Sequence, residues 1–171
     1  TAVLRNRLSE DGLEKVLDRF DPDRLRAVFQ QLYLGPTGYR ELEDKEPDLY
    51  RDGASGTLDL PPEGFMANEP ILAESGTLEA LTAEYEIGVV TGRPRAEATL
   101  ALDRVGLEIP ADLLFAMEDG PGKPEPEGLI AIAERTDTSA LAFAGDTLDD
   151  VETAKNASEA DSSRTYYGIG V

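Results

Sequence analysis

The first part of the chain, residues 1–34, repeats apolar positions every three or four residues, which predicts helices. The pattern pauses at Asp21-Pro22 and then restarts. An aspartate followed by a proline is typical of a helix start, so Asp21 is predicted to cap a second helix with Pro22 in its first turn. Gly35-Pro36 is predicted to end that helix. Residues 36–70 are rich in proline, glycine and acidic residues, and we expect a connector with little regular structure.

Beyond Pro70 the pattern changes to short apolar runs that alternate with helical stretches. The predicted strands are Ile87–Val90, Leu113–Met117, Leu141–Ala144 and Thr165–Ile169. The predicted helices are residues 75–84, a segment ending at Gly106, one through Leu129–Ala133 and one through Val151–Ala157. Helices alternating with short apolar strands favour a parallel sheet. We therefore predict an α/β fold with a doubly wound parallel sheet over residues 71–171.

Composition removes several kinds of chemistry. The 171 residues include no cysteine and no histidine, which excludes thiol nucleophiles, imidazole acid–base catalysis and sites built on those ligands. A metal ion here must be a hard cation bound by oxygen atoms. The net charge of −19 makes nucleic acid and anionic membranes poor partners. No apolar run is long enough to span a bilayer and the start has no signal-peptide layout, so we expect a cytoplasmic protein.

The acid-rich, lysine-poor composition also bears on the source of the protein. Only four lysines occur, against 35 acidic residues. Such a surface suits high salt, where counterions screen the repulsion between like charges. We predict a halophilic organism, an archaeon, with an acidic protein from an ordinary organism as the alternative.

Three predicted strand or loop ends carry residues suited to chemistry. Thr91-Gly92-Arg93 follows one strand directly and precedes a helix start, where anions are stabilised. Lys123 lies between a glycine and a proline in a chain that otherwise avoids lysine. Asp146, Asp149 and Asp150 crowd the turn after another strand, where an unpaired carboxylate is costly. Ligands bind at the carboxyl ends of parallel strands, and Mg²⁺ takes one or two carboxylates there.

Taken in this order, the three segments resemble the motifs of the haloacid dehalogenase (HAD) superfamily, over about residues 75–171. The resemblance implies a HAD-like Rossmannoid core in residues 71–171, and an incomplete helical cap with its connector in residues 1–70. It implies a Mg²⁺-dependent phosphohydrolase that acts on a small phosphorylated metabolite through an aspartyl-phosphate. Phosphoglycolate is one family-level example of such a substrate.

The resemblance also implies a role for each matching residue. The Thr91 hydroxyl and the Gly92 backbone N–H would bind phosphoryl oxygens, and Lys123 would neutralise charge in the transition state. Asp146 would bind Mg²⁺, with Asp150 or Asp149 as its second ligand. Arg93 is a candidate for contact with a substrate anion, or a surface arginine at a helix start.

One family motif has no match before Thr91: an apolar strand followed by Asp-x-Asp, whose first aspartate is the nucleophile. Asp21-Pro22-Asp23 has those letters, but it follows a helical pattern and is interpreted as a helix cap. Either the nucleophile lies outside these 171 residues, or the chain is a catalytically incomplete module that binds a phosphorylated ligand or a protein. Another HAD chemistry and a receiver-type signalling domain are further alternatives.

Overall fold

A computed structural model describes residues 7–50, 60–73 and 76–171. The chain divides into two compact units, Thr1–Pro70 and Ile71–Val171. The apolar positions before residue 7 and the glycine-rich stretch at 52–56 lie outside the described residues. Among the helices described, none combines the length and the apolar character needed to cross a membrane. The assignment of the two units as cap and core stays a prediction.

The first unit is helical. Helix α1 spans Glu10–Leu17 and helix α2 spans Pro22–Glu43. The Asp21 side chain accepts a hydrogen bond from the Arg24 N–H at 2.9 Å, and Pro22 opens the helix. The predicted cap is therefore confirmed, and Asp21 is engaged in holding a helix start.

The predicted end of the second helix was only partly right. Gly35 leaves the helical conformation, with φ of 69°, but Pro36 begins a new helical run that continues to Glu43. A proline fits the first turn of a helix because its missing N–H is not needed there. Short 3-10 turns at Asp48–Tyr50 and Phe65–Asn68 add further regular structure. The expectation of a connector with little regular structure was wrong for these parts.

The second unit alternates helices and strands, as predicted. Its elements are α3 (Thr77–Glu84), β1 (Val89–Val90), α4 (Arg95–Val105), β2 (Leu114–Phe115), α5 (Glu127–Arg135), β3 (Ala140–Gly145), α6 (Leu148–Ala160) and β4 (Thr165–Gly170). Strand β1 pairs in parallel with β2, and β3 pairs in parallel with β4. The prediction of parallel strands is confirmed.

The predicted doubly wound sheet is present only in part. Within the described residues the strands form two separate two-stranded sheets, because no described strand joins β1 to β3. Both sheets nevertheless pack on helix α5. Val90 from β1 and Leu141 from β3 contact the same apolar clusters, which include Leu129 and Ile132 of that helix. Shared packing on one helix brings the carboxyl ends of the strands toward a common region.

Candidate active site

The first candidate segment follows strand β1. The Thr91 N–H donates to the Phe115 carbonyl at 2.9 Å, which extends the parallel pairing by one residue. The Thr91 hydroxyl oxygen accepts a hydrogen bond from the Arg93 N–H at 3.2 Å. This contact uses an acceptor site of the hydroxyl and leaves its proton for another partner. The Thr91 hydroxyl can therefore donate a hydrogen bond at the end of the strand.

A cleft of about 160 Å³ brings three of the predicted residues together. Thr91 and Gly92 line one part of it, and Lys123 lines another. Phe115 adds an apolar wall, and Gly120 belongs to the loop that leads to Lys123. A β-carbon added at Gly92 would meet no atom within 4 Å, so its backbone is open to a ligand.

Lys123 is linked to the acidic turn by an ion pair. Its amine lies 2.5 Å from Oδ1 of Asp150, which is only 2% exposed, and the Lys123 side chain is 26% exposed. The Phe143 ring lies 6.0 Å from the same amine. Two sequence segments that lie 27 residues apart are thereby joined at the carboxyl ends of the strands.

Asp150 also closes the start of helix α6. Its Oδ2 accepts hydrogen bonds from the N–H of Thr147 at 2.9 Å and from the Thr147 hydroxyl at 2.6 Å. The Thr147 hydroxyl in turn accepts from the Asp150 N–H, which completes a capping box. Burial raises the pKa of Asp150, but the hydrogen bonds from Lys123 and Thr147 outweigh it, and the net pKa lies below its ordinary value.

These contacts bear on which aspartates could bind a metal ion. Both oxygens of Asp150 already accept hydrogen bonds, whereas Asp146 and Asp149 are exposed on the same turn. No group of three acidic residues suited to a metal occurs among the described residues. Mg²⁺ needs only one or two protein carboxylates, with water and phosphate oxygens completing its shell. Asp146 and Asp149 fit that requirement, and the metal roles of all three aspartates stay predictions.

Arg93 contributes to the site through its backbone. Its carbonyl accepts a hydrogen bond from the Met117 N–H at 3.0 Å, which ties the loop after β1 to the loop after β2. Its side chain is half-buried, and contact with a substrate anion stays a prediction.

Sequence reasoning missed a clamp beside the cleft, formed by Arg95 and two acidic residues. The Arg95 guanidinium donates to the Asp119 carboxylate at 2.5 Å and to the Leu114 carbonyl at 2.8 Å. The Glu118 carboxylate accepts from the Arg95 N–H at 3.0 Å and so caps helix α4 from a distance. The hydrogen bond from the Ala116 N–H, together with Arg95, lowers the pKa of Asp119. No local signal marks this clamp, since its partners lie more than 20 residues apart.

Fold and site together define an α/β protein whose parallel strands present a hydroxyl, an amine and carboxylates at their carboxyl ends. The model of the haloacid dehalogenase-like hydrolase family matches residues 10–158. The chain belongs to that family.

The chain is also similar to individual proteins of known sequence or structure. The chain is 28% identical over 158 residues to an imidazoleglycerol-phosphate dehydratase from Phytophthora nicotianae, a match that covers 90% of this chain and 30% of that protein. It is similar to the solved structure of phosphatase Tt82 from Thermococcus thioreducens, with a TM-score of 0.65, 24% identity, and coverage of 99% of this chain and 62% of that one. The chain thus spans less than a third of the curated relative and under two thirds of this phosphatase.

Proposed function

We propose that the complete protein is a Mg²⁺-dependent phosphohydrolase that acts on a small phosphomonoester. The observation that carries the proposal is the cleft shared by Thr91, Gly92 and Lys123, with Lys123 paired to the acidic turn. A hydroxyl, a backbone N–H and an ammonium around one cleft suit a phosphoryl group, because each donates hydrogen bonds to anionic oxygens. Membership of a hydrolase family supports the reaction class.

The proposed reaction has two steps. An aspartate carboxylate forms a bond to phosphorus as the ester P–O bond breaks, and a second, protonated aspartate of the same motif gives its proton to the leaving alcohol. Water then attacks phosphorus and gives a proton back to that second carboxylate, and the acyl phosphate P–O bond breaks to release inorganic phosphate and the free nucleophile. The nucleophile is proposed to lie outside these 171 residues, since Asp21 caps a helix. Thr91 and Lys123 would bind the phosphoryl oxygens in both steps.

Mg²⁺ is the proposed cofactor, with Asp146 and Asp149 as the residues that would hold it. When bound, the ion offsets the repulsion between the phosphate and the carboxylates. The turn after β3 supports this because both side chains are exposed there. Asp150 is proposed to hold Lys123 instead of the ion.

The substrate is proposed to be a small phosphorylated metabolite, in the cytoplasm. The name of the dehydratase relative describes an imidazole-bearing phosphate ester. Dehydration of the glycerol part leaves the phosphate ester intact, so substrate and product of such a reaction are both phosphomonoesters. An imidazole-bearing phosphomonoester therefore belongs beside phosphoglycolate in the first substrate panel.

The test is release of inorganic phosphate by the complete protein, first stripped with EDTA and then titrated with MgCl₂. We expect Mg²⁺-dependent activity on at least one ester and its loss in Asp146→Asn. Asp137→Asn removes the same charge beyond the other end of β3, where Asp137 has a positive φ of 49° that asparagine also adopts, and it should keep full activity. Full activity in Asp146→Asn would contradict the proposed metal role. No activity in the unaltered complete protein would favour the phosphate-binding module.

A further inference from the structure

Lys123 can act on a phosphoryl group only if its amine is held in place. Lysine carries its charge on a flexible four-carbon stem, which costs entropy to fix. We propose that Asn156 is a positioning residue that fixes Lys123 through the backbone of Pro124. This inference rests on the proposed function for its effect on catalysis, but the contact itself is independent of it.

The loop around Lys123 is fastened at its backbone. The Glu125 N–H donates to the Gly122 carbonyl at 3.1 Å and closes a turn around Lys123 and Pro124. The Asn156 side-chain amide donates to the Pro124 carbonyl at 2.9 Å in a partly buried contact. This bond lies one residue beyond Lys123, so it holds the point from which the side chain starts.

Helix α6 carries both anchors of the loop. Asp150 in its first turn binds the Lys123 amine, and Asn156 binds the backbone beside it. The helix is itself fixed in the core by Ala154 and Ala157, which are almost fully buried. Helix α6 therefore fixes both the backbone beside Lys123 and the amine at the end of its side chain, as a preorganised site requires.

Removal of the Asn156 anchor should have a distinct effect. Asp150 would still attract the amine, so the charge would stay near the cleft. The root of the side chain would gain freedom, and the amine would spend less time where charge develops in the transition state. Loss of one neutral hydrogen bond would then lower kcat by about fivefold with little change in KM.

The first experiment does not depend on activity. The complete protein is treated with a limiting amine-acetylating reagent, and labelling of Lys123 is compared by mass spectrometry with that of Lys15, whose side chain is 71% exposed. In Asn156→Ala the ratio should rise by about threefold or more, since the loop opens more often. Asn156→Gln keeps a donor amide and should restore part of the protection. An unchanged ratio in Asn156→Ala, measured with the protein fully folded, would overturn the inference.

The control is Ser158→Ala on the same helix. Its hydroxyl donates to the Tyr166 carbonyl at 3.4 Å and does not reach the lysine loop. This variant should leave the labelling ratio and kcat unchanged, even if it lowers the melting temperature slightly. Equal increases in Ser158→Ala and Asn156→Ala would show general loosening of the helix and would also overturn the inference.

Kinetics then connect the contact to catalysis. If the complete protein is an active phosphatase, Lys123→Ala should lower kcat strongly, and Asn156→Ala should lower it by a smaller factor with KM nearly unchanged. Normal kcat in Asn156→Ala beside a low kcat in Lys123→Ala would refute the positioning role alone. Absence of activity in the unaltered protein would refute the proposed function and leave the labelling result to decide the contact.

Discussion

Asp150 has a different local role from its neighbours on the same turn. Its carboxylate is buried and accepts three hydrogen bonds, two from Thr147 and one from Lys123, whereas Asp146 is exposed. A buried carboxylate is stable only when its charge is paired and its oxygens are bonded. The start of helix α6 and the position of the Lys123 amine therefore both depend on this side chain.

Substitution of Asp150 should change how the free energy of unfolding depends on pH. Asp150→Asn loses the charge that binds Lys123, and we expect the free energy of unfolding at pH 7 to fall by roughly 1–3 kcal/mol. The pKa of Asp150 is lowered in the folded protein, so its contribution is present above the unfolded pKa and is lost as pH falls below about 4. The two proteins should converge in acid, as measured by urea unfolding at a series of pH values.

Glu152→Gln is the matched control for this series. It removes a charge from an exposed position on the same helix and should change stability by less than about 0.5 kcal/mol at every pH. A constant difference between Asp150→Asn and the unaltered protein across the acid range would contradict the assigned role of the ion pair.

At the scale of elements, the predicted end of helix α2 at Gly35-Pro36 describes only part of what Gly35 does. Gly35 does interrupt the helix, but its positive φ also allows a close approach to another segment. A β-carbon on Gly35 would lie 2.6 Å from the Glu63 carbonyl carbon and 2.6 Å from the Gly64 nitrogen. The glycine is thus required by a contact between segments that are 28 residues apart as well as by the local turn.

Gly35→Ala tests this contact. Both the left-handed backbone and the collision oppose a side chain, and we expect at least about 2 kcal/mol of destabilisation in thermal or urea unfolding followed by circular dichroism. Gly106→Ala is the comparison for a positive φ without a collision: Gly106 has φ of 71° and nothing within 4 Å of an added β-carbon, and its ψ is 28° where that of Gly35 is 173°. Its loss should be clearly smaller. A loss in Gly35→Ala no larger than that in Gly106→Ala would contradict the collision.

At the scale of the whole molecule, the net charge of −19 dominates long-range electrostatics. Like charges on a compact chain repel one another, and salt screens them over a Debye length of about 10 Å at 0.1 M. The expected halophilic source would explain why such a surface is tolerated. The source itself stays a prediction.

The melting temperature should therefore rise with salt. We expect an increase between 0.1 and 2 M KCl at pH 7.5, measured by circular dichroism, with most of it below 1 M as screening saturates. Near the sequence pI of about 4.2 the net charge is close to zero, so the same titration should give a much smaller initial rise. An equal rise at both pH values would indicate a general salting-out effect instead of relief of repulsion.

Much of the second unit could be predicted from residue order alone. Helix starts, strand ends and their polar residues depend on neighbours three or four positions apart, and these signals are present in the sequence itself. The parallel strands of this unit are an example that the structure confirms, and Asp21 as a helix cap is another in the first unit. The separation into two sheets agrees with the sequence analysis, which found no match before Thr91 for the strand of the first family motif.

The sequence by itself indicated the α/β class, excluded cysteine and histidine chemistry within these 171 residues, and predicted the family motifs at Thr91, Lys123 and Asp146. Only the tertiary structure decided which carboxylate pairs with Lys123 and which amide holds its loop. Those contacts join residues 27 and 32 positions apart. The packing of α6 on the core selects them, and a local pattern contains no information about that packing.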